Sequence, residues 1–365
     1  MLWMYAGFIA LVLLLLALDL GVFHRTAHVV SVREALRWSS FWISLGLAFS
    51  VFIYFGYERH WLGLGLTPDL MTVAPYTVEG VGLAYNDGTS ATVKYITGYL
   101  VEKSLAVDNI FVIAMLFGFF AVPAIYQHRV LFWGIVGALV MRGAMIAVGA
   151  QLIQRFTWII YLFGAFLIAT GIKMLLLKTD ATDPNRNLVV RLIRRLFPVS
   201  ERFHGQHFFV RAGSIASHEA ATPGAAVEMD HVVDAARPGT LLATPLILAL
   251  VMVEFTDLIF AVDSIPAIFA ITGDPFLVFT SNVFAILGLR SLYFALAGMV
   301  AKFRYLKVSL ALILMIVGVK MLLAEWLKLA VGRHFNLYLL AVIVSVLAAG
   351  VAASVVAERR RRPSG

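Results

Sequence analysis

Two short segments of the chain combine carboxylates with small polar side chains inside otherwise apolar sequence. A carboxylate within a membrane-spanning helix costs roughly 2.5–3.5 kcal/mol on insertion scales, so such residues usually mark an ion or proton pathway. A shift of 155 positions superimposes Glu102 on Asp257 and Asp108 on Asp263, which predicts a duplicated site. The candidate ion ligands are Asp108, Asp263, Asn109, Ser264, Glu102, Asp257 and Glu254.

The ligands that these segments offer are all oxygen atoms. Mn²⁺, Mg²⁺ and Ca²⁺ prefer carboxylate, carbonyl and water ligands, whereas Cu(I) and structural Zn²⁺ prefer thiolate or imidazole. Because the chain has no cysteine, the segments predict a site for a hard divalent cation. We expect Asp108 and Asp263 to bind one ion between the segments, and the other acids to act as further ligands, entrance charges or proton carriers.

The spacing of the acids affects whether they can converge on one ion. At about 100° per residue, Asp257 and Asp263 would lie roughly 120° apart on a straight helix. Pro266 has no N–H to donate to the carbonyl of Val262. We therefore predict a kinked or unwound stretch at Pro266 that brings the ligands together.

Basic residues in and near these segments are expected to balance their charge. Arg142, Arg290 and Lys103 are predicted to be charge-compensating residues rather than substrate ligands. Asp19 lies deep in the first apolar stretch and has no counterpart 155 positions away. It is a further ligand or a helix-packing contact, and the sequence leaves both alternatives open.

The composition is that of a polytopic membrane protein. Of 365 residues, 61% are hydrophobic and 14% charged, and the mean hydropathy is +0.90; soluble domains are nearer 45–50% apolar and 25% charged. The net charge of +8 collects at helix ends, as is typical of proteins oriented in a membrane, so no nucleic-acid partner is expected. Without cysteine, the chain itself has no thiol redox chemistry, and we predict neither an enzyme nor a tightly bound cofactor.

Apolar stretches of about 20 residues, the length that crosses a bilayer, recur nine times. They predict an all-α protein whose first stretch is a retained span rather than a cleaved signal peptide. The distribution of Lys and Arg places the N-terminus outside and the C-terminus in the cytoplasm of a bacterium. The predicted spans are 3–23, 38–57, 91–120, 130–150, 157–177, 244–271, 276–300, 306–326 and 335–357. The basic residues behind the orientation include Arg25, Arg129, Lys178, Lys302, Arg304 and Arg362.

Spans 3–5 and 6–8 resemble each other beyond the acidic segments. Span 5 ends in Gly-Ile-Lys-Met-Leu-Leu (171–176) and span 8 in Gly-Val-Lys-Met-Leu-Leu (318–323), while spans 4 and 7 carry Arg142 and Arg290. Because a unit of three spans reverses direction, the two copies must be inverted, an architecture typical of transporters with a mid-membrane ion site. Lys173 and Lys320 are expected to extend their ammonium groups to the membrane surface.

The predicted organisation has five segments, of which one is not expected to fold by itself. This cytoplasmic linker is first basic and then rich in Ala, Pro and Gly. Its histidines, His204, His207, His218 and His231, are interpreted as scattered loop residues rather than a metal-sensing tail. The segments are 1–89 (spans 1–2 and an outer loop at 58–90), 90–177 (repeat A), 178–243 (the linker), 244–330 (repeat B) and 331–365 (span 9 and a basic tail).

Four stretches resemble the TerC family of membrane proteins, which includes Alx and relatives named for tellurium resistance. They are LDLGVFHR (18–25), TGYLVEKSLAVDN (97–109), FTDLIFAVDSIPA (255–267) and TSNVFAILGLR (280–290). The resemblance covers nearly the whole chain, although the 58–90 loop is longer than the family usually has. It implies a LysE-like transporter fold and, for several members, manganese export with protection against metal excess.

Three classes of function follow from these observations. The leading hypothesis is export of a hard divalent cation, most of all Mn²⁺, by alternating access at the mid-membrane carboxylates. Proton exchange on the same groups is expected because burial disfavours a charged carboxylate when no cation is bound. The alternative is a membrane-bound redox modulator, or a tellurite-resistance or stress-response protein, acting through partners. A third class is a scaffold for partner complexes, with the 178–243 linker as the contact.

Overall fold

The computed structural model describes eight stretches of the chain: residues 2–21, 30–69, 71–72, 75–176, 188–214, 230–296, 305–332 and 335–361. Several predictions fall outside them. Arg25, Lys178, Lys302, Arg304 and Arg362, on which the orientation depends, are not among the described residues, and neither is His218.

The described chain is mostly helical, with two small two-stranded sheets. The strands are β1 (Tyr76–Val78), β2 (Gly82–Ala84), β3 (Phe209–Arg211) and β4 (Leu241–Ala243), and β1 pairs with β2 and β3 with β4, both antiparallel. The helices are α1 (Leu2–Gly21), α2 (Val32–Glu58), α3 (Gly88–Phe119), α4 (Ala124–Arg155), α5 (Ile159–Leu176), α6 (Leu188–Leu196), α7 (His231–Ala235), α8 (Pro245–Phe269), α9 (Pro275–Ile286), α10 (Leu289–Leu296), α11 (Leu306–Leu322), α12 (Ala324–Val331) and α13 (Phe335–Arg361).

Local sequence explains where several of these helices begin. Ser31, Asp87 and Asp274 precede α2, α3 and α9, and each accepts hydrogen bonds from backbone N–H groups of the first turn. Helices α8 and α9 begin with Pro245 and Pro275, a position where proline loses no helical hydrogen bond.

Six described helices are long and apolar enough to cross a membrane: α1, α2, α4, α5, α8 and α13. A seventh span results if α9 and α10, bent by 41° at their junction, are taken as one. The other two predicted spans correspond to α3 and α11. Helix α3 has 32 residues but includes Lys94, Glu102, Lys103 and Asp108, and α11 has only 17 residues. The structure therefore shows six or seven candidate spans, and the count of nine stays a prediction.

Helix α8 is not unwound at Pro266, and a break occurs elsewhere in the described helices; a kink at this proline stays a prediction. Helix α8 continues through Pro266 to Phe269; because the proline lies in the last turn, the helix ends soon after the lost hydrogen bond. Predicted span 7 is instead broken between α9 and α10, where Gly288 has a φ of +81°. A Cβ at this glycine would lie 2.5 Å from the Cβ of Trp42, so both conformation and packing require glycine there.

Helices α5 and α11 run in opposite directions with their backbones close together. A Cβ at Gly164 would lie 3.0 Å from the carbonyl oxygen of Gly318, and a Cβ at Gly171 would lie 2.7 Å from that of Ala311. A shift of 147 positions superimposes Gly164 on Ala311 and Gly171 on Gly318. Exchanging the two helices therefore superimposes the Gly164–Gly318 contact on the Ala311–Gly171 contact, as a pseudo-two-fold axis would.

The same exchange relates other packed pairs. Helix α3 packs against α9, and α4 packs against α8, which are equivalent pairs if α3 corresponds to α8 and α4 to α9. Helices α3 and α8 also contact each other. Four helices, two from each predicted repeat, thus surround the acidic segments.

The 178–243 segment has more structure than the sequence predicts. Strands β3 and β4 form a two-stranded antiparallel sheet, and Val210, Ala212 and Leu242 in and beside it make a small core with Val233 of α7. His204 and Asp230, both buried, form a hydrogen bond of 3.1 Å between Nε2 and Oδ2. Composition suggested a linker without a fold, but one short strand pair and a capped helix suffice to bury these few apolar side chains.

Candidate ion site

Arg142 on α4 is the centre of a buried polar cluster. Its side chain is 3% exposed and binds Asp257 with two hydrogen bonds, Nη2 to Oδ1 at 2.9 Å and Nε to Oδ2 at 3.2 Å. Its Nη1 donates to Glu102 Oε1, to Asn282 Oδ1 at 3.0 Å and to Ser264 Oγ at 3.3 Å. One guanidinium thus connects α3, α4, α8 and α9.

The cluster contains more carboxylate than positive charge. Arg142 pairs with both Glu102 and Asp257, the two acids that the 155-residue shift superimposes. When both acids are ionised, the cluster has a net charge of −1. Within the described part of the chain, Glu102 Oε2 is buried and has no hydrogen-bond partner. An unpaired buried acceptor is costly, so a proton or a cation would stabilise this oxygen.

A third acid adjoins the cluster one helical turn before Asp257. Glu254 Oε2 is likewise buried without a hydrogen-bond partner among the described residues, and the charge of Asp257 acts on it. The Glu254 carboxylate lies against the backbone of Gly137, where a Cβ would overlap it. Because Gly137 has no side chain, it leaves space for this carboxylate.

Asp108 and Asp263 lie outside the Arg142 cluster and have different neighbours. Asp263 accepts a hydrogen bond of 3.1 Å from Thr170 Oγ1, with Lys173 as a charged neighbour. The charged neighbour of Asp108 is Lys307. Asn109 is buried, at 5% exposed. No three His, Asp or Glu side chains of the described stretches come together in a way that could hold a metal, so joint ligation of one ion by the two aspartates stays a prediction.

Arg290 does not join the acidic segments. Its Nη2 donates to Asp19 Oδ1 at 2.6 Å, and both side chains are largely buried. Of the two alternatives for Asp19, the structure supports the helix-packing contact, because the ion pair connects α1 to α10. Arg290 was predicted to balance the charge of the acidic segments, and the structure instead pairs it with Asp19.

Two lysines, Lys103 and the buried Lys320, donate to carbonyls at helix ends, which corrects two predictions. Lys103, expected to balance an acid, donates from Nζ to the carbonyls of Ala285 at 3.0 Å and Leu287 at 3.3 Å, at the end of α9. Lys320, expected at the membrane surface, is 4% exposed and donates to the carbonyl of Ala270 after α8. Unpaired carbonyls at a helix C-terminus carry partial negative charge, so both lysines find favourable partners inside the protein.

A second buried cluster, centred on Asp69, was missed because the sequence assigns this residue to a polar loop. Asp69 accepts five hydrogen bonds, and its ion pair with Lys94 of α3 is fully buried. Burial alone would raise the pKa of Asp69, but Lys94 and the backbone donors outweigh it and hold the pKa below its ordinary value. The donors are Lys94 Nζ (2.8 Å), Thr272 Oγ1 (2.8 Å), Gly273 N (2.7 Å), Met71 N (2.9 Å) and Asn86 Nδ2 (3.2 Å).

Asp274 lies beside this cluster in the turn between α8 and α9. It is completely buried, and its Oδ1 accepts from the backbone N–H groups of Phe276 at 3.0 Å and Leu277 at 3.4 Å. Burial first, and then the negative charge of Asp69, raise the pKa of Asp274 to about 6. The two neighbouring acids therefore titrate in different pH ranges.

Residues 87–362 match the profile of a family of integral membrane proteins named TerC. The chain belongs to the TerC family. This confirms the resemblance that the four sequence stretches indicated, and the matched region includes both acidic segments and the Arg142 cluster.

Full-length relatives support the same assignment. An uncharacterised membrane protein of Myxococcus xanthus is 44% identical over 356 residues, which cover 98% of this chain and 93% of the relative. The Escherichia coli K12 protein named "Putative membrane-bound redox modulator Alx" is 40% identical over 347 residues, 94% of each chain. A membrane protein of Rickettsia bellii is 36% identical over 349 residues, 96% of each chain. No solved structure matches this sequence.

Proposed function

We propose that this TerC protein exports a hard divalent cation, most of all Mn²⁺, across the cytoplasmic membrane of a bacterium. The observation that carries the proposal is the Arg142 cluster, where equivalent acids from two similar segments share one guanidinium. Glu102 and Glu254 each keep one buried carboxylate oxygen without a hydrogen-bond partner in the described structure. Carboxylate oxygens of this kind are the ligands that hard divalent cations prefer.

The proposed architecture is nine spans with two inverted three-helix repeats, in the LysE-like fold that the family resemblance implies. The antiparallel contact of α5 with α11 supports inverted repeats, because the 147-residue shift superimposes this contact on itself. The N-terminus would be outside and the C-terminus in the cytoplasm. Alternating access would then consist of one repeat rocking against the other around the acids between them.

In this mechanism Arg142 competes with the cargo. The guanidinium holds Glu102 and Asp257 together when no ion is present, and an arriving divalent cation would compete for the same carboxylates. Asp108 and Asp263, which lie outside the cluster and are partly exposed, would serve as ligands on the way in and out. A proton on Glu254 would be released when the cation binds, which supplies a route to proton exchange.

Transport into vesicles tests the proposal. Purified protein in proteoliposomes should move Mn²⁺, and Glu102→Gln, Asp257→Asn, Asp108→Asn and Asp263→Asn should each lower the flux about tenfold or more, since each removes a charged ligand. Glu79→Gln, which neutralises an exposed acid in the β1–β2 turn, is the matched control. Unchanged manganese flux in Asp108→Asn and Asp263→Asn would show that those two assignments are wrong.

The name of the Escherichia coli relative favours a second candidate, a membrane-bound redox modulator. Since this chain has no cysteine, thiol chemistry would have to come from a partner, with the 178–243 segment as the contact. Metal content in cells with and without the protein separates the candidates. An exporter lowers cellular manganese, whereas a modulator acting through partners leaves it unchanged.

A further inference from the structure

Helix α6 lies outside the candidate spans and presents three different faces. At about 100° per residue, Val190 and Ile193 share the face that packs on the protein core, and α6 contacts α8. A second face exposes large apolar side chains, Leu192 at 55% and Leu196 at 64%. The third face is basic, with three exposed arginines at Arg191, Arg194 and Arg195.

A cavity of about 440 Å³ lies beside this helix. Arg194 lines one side, while Phe120 at the end of α3 and Pro245 and Leu248 at the start of α8 supply apolar walls. Glu201 also lines the cavity and is the acidic group there. A cationic group beside apolar walls suits an amphiphile better than a free ion.

We propose that α6 lies in the membrane surface and binds an anionic phospholipid, with the headgroup phosphate at Arg194 and an acyl chain along Phe120, Pro245 and Leu248. Interfacial helices combine an apolar face that enters the acyl boundary with Lys or Arg for anionic headgroups, and Leu192 and Leu196 provide the first while the arginines provide the second. Arginine also matches the geometry of a phosphate with paired N–H donors.

The lipid would act on α8, the helix that carries three of the five candidate acids. Helix α6 packs on α8, which contains Glu254, Asp257 and Asp263. A bound lipid would hold α6 against the start of α8 and so stabilise this end of the bundle. The inference concerns the bilayer partner and stands whether the cargo is manganese or another ion.

Lipid binding to the purified full-length protein tests the inference. Protein in neutral phosphatidylcholine nanodiscs is titrated with short-chain phosphatidylglycerol, and binding is followed by native mass spectrometry and by the melting temperature. Since each basic residue near an anionic surface contributes roughly a fivefold change in affinity, Arg194→Gln/Arg195→Gln should weaken phosphatidylglycerol binding about 25-fold. Leu192→Gln/Leu196→Gln should also weaken it, because the apolar face is lost.

The matched control is Arg211→Gln/Arg237→Gln, which removes the same charge from β3 and the turn before β4 and should leave binding unchanged. Equal loss in the control, no loss in Arg194→Gln/Arg195→Gln, or equal binding of phosphatidylcholine would each overturn the inference. Glycerol 3-phosphate binding as tightly as the lipid would overturn it too, since that requires only an anion site. If the double variant does not fold, phosphatidylglycerol binding to the wild-type protein is measured at increasing salt concentration. The binding should weaken as the salt concentration rises, and salt-independent binding would contradict the proposal.

Discussion

The two buried ion-pair clusters differ in how completely their polar atoms are paired. Asp69 receives five hydrogen bonds and pairs with Lys94, whereas Glu102 in the Arg142 cluster keeps one buried carboxylate oxygen unpaired among the described residues. Each cluster also adjoins an acid with one such oxygen, Asp274 beside Asp69 and Glu254 beside Arg142. A fully satisfied buried network makes the structure rigid, whereas an unpaired buried oxygen is costly. The Asp69 cluster is therefore a structural joint, and the Arg142 cluster is the one for which we propose a bound ion.

The largest expected effect is on the Asp69 joint. Lys94→Met would leave a completely buried aspartate without its cation, and breaking a buried pair in this way costs about 3–5 kcal/mol. We expect the variant to be strongly destabilised, as measured by the melting temperature of purified protein in detergent. Lys94→Met combined with Asp69→Asn should recover part of the loss. A variant as stable as the wild type would mean that the pair does not hold these loops.

Arg142→Met should cost less, about 1–3 kcal/mol, because Glu102 and Asp257 can take up a proton or share a divalent cation. Added Mn²⁺ should raise the melting temperature of this variant more than that of the wild type, since the competing guanidinium is gone. Added Mn²⁺ should change the melting temperature of Lys94→Met by as much as that of the wild type. Equal changes in melting temperature for all three proteins would contradict the assignment of the Asp69 cluster to structure and the Arg142 cluster to ion binding.

Asp274 should make stability depend on pH in the direction opposite to Asp69. Its folded-state pKa of about 6 is above the unfolded value, so its stabilising contribution is complete below about pH 4 and is lost as the pH rises through 6. The loss is about 2–3 kcal/mol. The pKa of Asp69 is lowered, so its contribution is present above about pH 4 and is lost on acidification below that.

The Asp274→Asn variant tests the direction of this pH dependence of stability. The melting temperature of the wild type relative to the variant should fall between pH 4 and pH 6 and then level off near pH 7. The asparagine keeps an acceptor for the N–H groups at the start of α9, so helix capping is largely preserved. A constant difference across this range would show that Asp274 does not titrate there.

The smallest change tests the space beside Glu254. Gly137→Ala would place a methyl group where the carboxylate lies, and overpacking of this kind costs about 1–3 kcal/mol. Manganese flux in vesicles should fall because Glu254 must move. Gly134→Ala on the same helix is the control, since its Cβ would lie 3.3 Å from Val253 Cγ1, a tight contact with an apolar side chain only. Equal flux in both variants would argue against a role for Glu254.

Much of the architecture could be predicted from local pattern, but the pairing of charges could not. The shift of 155 correctly joined Glu102 with Asp257, and Arg142 is their counter-charge as expected. Asn282 was overlooked, although a run of Thr280, Ser281 and Asn282 in an apolar helix is an unusual polar signal. The hydrogen bond from Thr272 to Asp69 joins residues 203 positions apart, a separation at which helix periodicity carries no information.

By itself the sequence determined that the chain is an integral membrane protein of the TerC family with two similar acidic segments, because composition and motif order depend only on neighbouring residues. Tertiary structure alone decided which partner each charge finds: Lys103 binds carbonyls of α9, Asp19 binds Arg290, and Arg142 serves acids of two segments. A buried charge pairs with whatever group the packing of other helices brings within about 3 Å. That choice depends on distant parts of the chain, and so does the lack of a partner for one carboxylate oxygen each of Glu102 and Glu254 among the described residues.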